Sequence, residues 1–232
     1  MFHHVLVRGG ELPSLDQGQA WPGLLSPREE EILAGLLLLP RRRKWLLGRA
    51  AAKRLVRERL GREAVAESRI SVLNRPSGEP FVLLEGQGEW ELPISLSHRS
   101  DAGLAAAPER CGWRIGADLE TVVPRAPALV RQFFTEREAA LVAKSGEARD
   151  EVVARIWSAK EAVLKLLGLG LRLDTRAIEV TFDGESYADG PAGFSAIAVG
   201  LRAGLLPESL LASLRVVWRR EGDCVLTVAV AG

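Results

Sequence analysis

Two long stretches of helical spacing, each followed by strand-like runs, constrain this chain more than any other feature. Trp45-Leu-Leu-Gly-Arg49-Ala-Ala-Ala-Lys53-Arg-Leu55 can be laid against Trp157-Ser-Ala-Lys160-Glu161-Ala-Val-Leu-Lys165-Leu-Leu167 so that Trp, Ala, Lys and Leu recur in register. A repeat of a helix together with the strands after it implies two similar halves, each with its own helix-on-sheet core. In this alignment Arg49 and Glu161 share a slot, which would make one half specialised for phosphate and the other for metal. The expected fold is α+β: two similar α/β halves related by a pseudo-twofold, each a long helix on a small, mostly antiparallel sheet. The boundary is set at 1–115 and 116–232, with an active site in the cleft between the halves.

Local signals mark the elements. Ser26-Pro27-Arg28-Glu29 combines an N-cap, a Pro at the first helical position and a capping-box Glu, so a helix is expected to about Leu39. The apolar run Ile32 to Leu39 reads as core helix ended by Pro40, and a second helix as running from about Arg41 to Leu60. Between Ile70 and Glu120 the spacing changes to short alternating runs separated by turn residues, the mark of sheet. The short link Pro108 to Gly112 predicts a hairpin between its last two strands. Thr135-Glu-Arg-Glu138 is a second capping box, Asp150 caps a longer helix closed by Gly168, and strands return over 177–182, 194–199, 214–219 and 224–231.

Composition narrows the function classes. The 31 Lys and Arg nearly balance the 30 Asp and Glu, so no overall field draws in nucleic acid or an anionic membrane, and recognition of charge must be local. Hydrophobic residues make up 47% of the chain, enough for a buried core, but the most apolar run falls far short of the about 20 residues that span a bilayer. The opening MFHHVLVRGG reads as a short strand rather than a leader, and two cysteines, Cys111 and Cys224, make no disulfide framework. A cytoplasmic setting is expected.

Candidate chemistry sits in two segments. Along Trp113-Arg-Ile-Gly-Ala-Asp-Leu-Glu120 the strand period places Gly116, Asp118 and Glu120 on one face. Two like charges side by side repel unless a cation or basic side chains balance them, and a hard dication does so economically; a solvated strand end would carry the same pattern. Trp157, Glu161 and Lys165 form one helical stripe. Glu161 with Lys165 serves equally as a surface ion pair, though Trp157 on the stripe favours a shaped, partly buried site. Asp118, Glu120 and Glu161 together would supply the carboxylate share of a Mg²⁺ site, with Lys165 set to neutralise a phosphate. His98 with Arg99 at the end of Ser95-Leu-Ser97-His98, and the basic run Arg41-Arg42-Arg43-Lys44 with Arg49, are weaker candidates for binding peripheral phosphates.

Gly116-Ala-Asp118-Leu-Glu120 and Trp157-Ser-Ala-Lys160-Glu161-Ala-Val-Leu-Lys165, in this order and separation, resemble the two signature motifs of 4′-phosphopantetheinyl transferases. Ser95-Leu-Ser97-His98, Leu46-Leu-Gly-Arg49 and Phe133-Phe-Thr-Glu-Arg-Glu138 resemble accompanying motifs, and the length is similar to the larger, monomeric, surfactin-synthetase-associated type. The resemblance implies transfer of 4′-phosphopantetheine from coenzyme A to a serine of an apo acyl or peptidyl carrier protein, with Mg²⁺, releasing 3′,5′-ADP. It assigns metal to Asp118, Glu120 and Glu161, diphosphate contact to Lys165, and coenzyme A contacts to His98 and the basic residues around Arg41 to Arg49; the full candidate set is then Glu161, Lys165 and Asp118 for catalysis and Arg42, Lys44, Arg49, Arg75, Ser97, His98, Lys160 and Lys165 for coenzyme A. Gly78-Glu79-Pro80 departs from the family pattern, which commonly has a basic residue between Gly and Pro; Arg75 or Arg99 could compensate. The rival readings are a Mg²⁺-dependent pyrophosphatase acting on coenzyme A and a non-catalytic module binding coenzyme A and carrier. Neither nucleic acid nor membrane is an expected partner.

Overall fold

The computed structural model describes residues 1–13, 15–61, 65–99, 101–182 and 193–232. The chain divides into two units, Phe2–Gly112 and, apart from Met1, Trp113–Gly232.

In the first unit β1 (Phe2–Arg8) leads to α1 (Pro27–Ala34) and α2 (Leu39–Arg59), followed by β2 (Ile70–Asn74), β3 (Pro80–Leu84), β4 (Gly88–Glu89), β5 (Ser95–Arg99) and β6 (Ala102–Pro108). Two antiparallel sheets result, ordered β1-β6-β5 and β2-β3-β4. Helix α2 supplies much of the core through Leu46, Leu47, Ala50, Ala51, Leu55 and Val56. It lies close on β6: a Cβ at Gly103 would overlap the Leu47 carbonyl, so only glycine permits this approach.

The second unit begins with β7 (Arg114–Thr121), continues through α3 (Pro127–Phe133), α4 (Glu136–Lys144) and α5 (Arg149–Leu167), and adds β8 (Ile178–Thr181), β9 (Ser195–Leu201), α6 (Glu208–Ser213), β10 (Arg215–Glu221) and β11 (Cys224–Ala231). Its single antiparallel sheet has the order β7-β11-β10-β9-β8. Helix α5 packs on β7 and β11 and ends at Gly168, whose φ of 69° takes the left-handed cap that glycine accepts most readily. A long helix on an antiparallel sheet thus recurs in both units, the α+β architecture expected. Among the described residues no helix is long and apolar enough to cross a membrane.

Three local expectations need correction. Helix α1 stops at Ala34, capped by Gly35, and Pro40 sits in the first turn of α2, where its missing N–H is harmless. The apolar run is therefore not one core helix: Leu33 is buried, whereas Leu37 and Leu38 are 90% and 68% exposed. The hairpin expected across Pro108–Gly112 does not form, because β6 pairs with β1 and β5 while β7 pairs with β11.

The third correction concerns the register of the repeat. Glu29, the capping-box residue of α1, is fully buried; it accepts from the Ser26 N–H at 3.0 Å and the Val72 N–H at 2.9 Å and pairs with the Lys53 ammonium of α2. Glu138, the capping-box residue of α4, is also fully buried; it accepts from the Thr135 N–H at 2.7 Å and the Val180 N–H at 2.7 Å and pairs with Lys160 of α5 at 2.8 Å. Each lysine also donates to two carbonyls, Lys53 to Leu24 and Glu67, Lys160 to Thr175 and Ile178. Lys53 therefore corresponds to Lys160, not Lys165. In this register Glu161 falls against Arg54 and Lys165 against Glu58, so Arg49 and Glu161 do not share a slot.

Candidate functional site

Strand β7 turns Gly116, Asp118 and Glu120 toward α5, as its period of two requires. The approach is close because Gly116 has no side chain: a Cβ there would overlap the Ala162 carbonyl and press on the Leu166 N–H. Asp118 and Glu120 are only 6% and 1% exposed. Burying a carboxylate is unfavourable unless it is paired, and both are. The Lys165 ammonium donates to Asp118 Oδ1 and to the Ala117 carbonyl, each at 2.8 Å. The Arg125 guanidinium pairs with Glu120 Oε1 and reaches the Thr121 carbonyl at 3.4 Å.

Trp157, Glu161 and Lys165 form a half-buried stripe on α5, as their spacing demands. Trp157 is held edge-on by Phe133, with ring centroids 5.2 Å apart, so the stripe has an aromatic wall at its N-terminal end. Among the described residues no three His, Cys, Asp or Glu side chains gather tightly enough to hold a metal. The donor chemistry nevertheless fits a hard dication: two buried carboxylates share a strand face, and Glu161 lies one helical turn from the lysine that grips the first. Arg125 is the residue least expected here. Its place just past the end of β7, five residues after Glu120, is the signal that could have found it.

The remaining candidates divide by what already holds them. Lys160, expected to contact coenzyme A, is fully buried and committed to Glu138 and two carbonyls; burial pulls its ammonium below the ordinary range, with Glu138 pulling it up. Arg42, also expected to bind coenzyme A, donates instead to the carbonyls of Gly18, Leu33 and Leu36, tying α2 to α1 and to the loops on either side of it. Lys160 gives way because its three N–H donors are spent on internal acceptors, and Arg42 spends its Nε and Nη1 donors in the same way. Arg49 is 6% exposed, lies 4.0 Å from Glu29, donates to Asn74 Oδ1 at 3.1 Å and stacks 4.5 Å from the Trp45 ring. Burial lowers its pKa to about 10, which leaves it cationic at neutral pH.

Lys44 is half-buried on α2; Ser97 and His98 lie on β5 opposite Leu104 and Gly103, with His98 exposed. Arg75, the suggested compensation at the Glu79 departure, is exposed, pairs with Glu89 and stacks on Phe81. Arg99, the other suggestion, is half-buried on β5.

Residues 114–190, from β7 through α5 and beyond, match the family model of the 4′-phosphopantetheinyl transferase superfamily. The resemblance read from the motifs stands. The L-aminoadipate-semialdehyde dehydrogenase-phosphopantetheinyl transferase of Xenopus laevis is 26% identical over 168 residues, 67% of this chain and 53% of that protein. A second relative, from Synechocystis sp., carries the same transferase in its name and is 31% identical over 100 residues, 41% of this chain and 39% of its own. The chain thus spans about half the length of these relatives or less. Among solved structures, the holo-[acyl-carrier-protein] synthase of Neisseria meningitidis overlays 51% of this chain and 97% of its own, with TM-score 0.40 and 20% identity. The synthase of Thermotoga maritima overlays 51% and 62%, with TM-score 0.41 and 17% identity.

Proposed function

We propose that this chain transfers the 4′-phosphopantetheine group of coenzyme A to a serine hydroxyl of an apo acyl or peptidyl carrier protein, releasing 3′,5′-ADP, and that it works in the cytoplasm as a monomer. The observation that carries this reading is the buried carboxylate pair Asp118 and Glu120 on β7, tied through Asp118 to Lys165 of α5, within the segment that matches the superfamily. A Mg²⁺ ion held by Asp118, Glu120 and Glu161 would polarise the diphosphate of coenzyme A.

In the transfer, the serine oxygen forms a bond to the phosphorus bearing the pantetheine arm. The bond from that phosphorus to the bridging oxygen breaks, and its electron pair leaves with 3′,5′-ADP. Lys165, whose ammonium already sits among oxygens, offsets the charge that gathers on the phosphate oxygens. Glu161, on the same stripe, takes the serine proton directly or through a water. Contacts to the phosphates of coenzyme A are assigned to Lys44, Arg49, Arg75, Ser97 and His98, of which Arg49 is held by Asn74 and by the Trp45 ring.

Glu161→Gln keeps the size of the side chain and removes its charge and basicity. It is expected to lower transfer by at least about 100-fold while thermal unfolding stays close to that of the parent protein. Near-normal turnover in this variant would remove Glu161 from the chemistry. Product analysis separates transfer from hydrolysis: release of 3′,5′-ADP at full rate with no carrier present would identify a pyrophosphatase.

A further inference from the structure

Among the described residues the buried lysine–glutamate device occurs once in each unit, with the same partners: a capping-box Glu, a strand N–H and two carbonyls. In the second unit the lysine is the residue immediately before Glu161. We propose that Lys160 is a positioning residue that sets the rotation of α5, and so the direction in which Glu161 is presented, rather than a contact to phosphate. This inference rests on the transfer reading above.

The geometry supports it from two sides of the helix. On one side the Lys160 ammonium reaches the Ile178 carbonyl at 2.6 Å, the Thr175 carbonyl at 2.9 Å and the Glu138 carboxylate at 2.8 Å, joining α5 to the start of β8 and to α4. Thr175 in turn donates its hydroxyl to the Phe133 carbonyl at 2.7 Å, and the Phe133 ring holds Trp157 on the site stripe. On the other side Gly116 lets the Ala162 carbonyl rest against β7. With one face fixed by charge-assisted hydrogen bonds and the other by steric contact, α5 can neither roll nor lift, and Glu161 and Lys165 keep one orientation toward β7. An ammonium with no exposed surface and three acceptors has no donor left for a ligand.

The test is a pair of variants in the full chain, Lys160→Met and Glu138→Gln/Lys160→Met. The second removes both charges, so it folds even if the first strands a buried carboxylate. Two readouts are taken. Hydrogen exchange of the amides over 157–165 is expected to quicken in both variants, a result that does not depend on any activity. In steady-state transfer, kcat is expected to fall by about 100-fold, as small misplacements of reacting groups do, with the KM for coenzyme A within about twofold of the parent value. Lys53→Met, the same excision in the first unit, should leave kcat within about twofold.

Unchanged exchange over 157–165 would overturn the proposal. So would a raised KM with preserved kcat, the signature of a lost phosphate contact. Faster exchange in a protein whose parent form shows no transfer would support the positioning role and overturn the functional reading instead.

Discussion

Lys165 and Asp118 form the contact on which the site most depends, since a lysine side chain 28% exposed closes over an aspartate side chain 8% exposed. Replacing Lys165 with Met leaves Asp118 buried without that partner and is expected to lower stability by about 1–3 kcal/mol. Transfer should fall far more than the stability loss explains; a melting curve and a turnover measurement on the same preparation check this. The buried lysines have a pH signature of their own. Burial, the largest influence, pulls Lys53 and Lys160 below the ordinary 10.5. As pH climbs, the folded chain releases these protons before the unfolded chain does, so the unfolded state binds more protons and their contribution to stability rises with pH up to about 10.4. Denaturant midpoints followed from neutral to alkaline pH should rise less steeply in Glu138→Gln/Lys160→Met than in the parent. A slope unchanged by the substitutions would contradict the assignment.

Many elements were legible from local signals, although Asp150, read as the cap of the long helix, lies inside the first turn of α5, whose N-cap is Ala148. Both capping boxes start helices as read, with Thr135 and Glu138 exchanging side-chain and backbone bonds, and the period of two along β7 sorts Asp118 and Glu120 onto one face. The misread features depend on distant partners. Lys160 and Lys165 look interchangeable on α5; only Glu138, 22 positions before one of them, and Asp118 on β7 tell them apart. The run Ile32 to Leu39 is apolar by composition, yet Gly35 and Pro40 divide it, and Leu37 and Leu38 reach solvent. Replacing Leu37 with Ser is therefore expected to change stability by no more than about 0.5 kcal/mol, whereas Leu47→Ala, in the core of the first unit, should cost about 2–5 kcal/mol. At the contact of α5 with β7, Gly116→Ala forces a methyl into the Ala162 carbonyl. A loss of about 1–3 kcal/mol is expected, together with loss of transfer as α5 shifts from β7.

For the whole molecule, the duplication reconciles the sequence with the structure. Both units keep a long helix on antiparallel sheet and a buried Glu–Lys pair; they differ in the sheets, two of three strands against one of five, and in the residues added around that frame. Glu161 and Lys165 on α5 fall against Arg54 and Glu58 on α2, an inversion of charge between equivalent positions. The near balance of total charge, 31 basic against 30 acidic residues, leaves recognition to such local differences. The central claim is that this frame serves group transfer, and intact-mass measurement of a purified apo-carrier protein incubated with the chain, coenzyme A and Mg²⁺ tests it most directly. The expected result is a carrier heavier by one phosphopantetheine, with no gain when its acceptor serine is alanine or when the chain bears Asp118→Asn. An unmodified carrier beside steadily accumulating 3′,5′-ADP would contradict it.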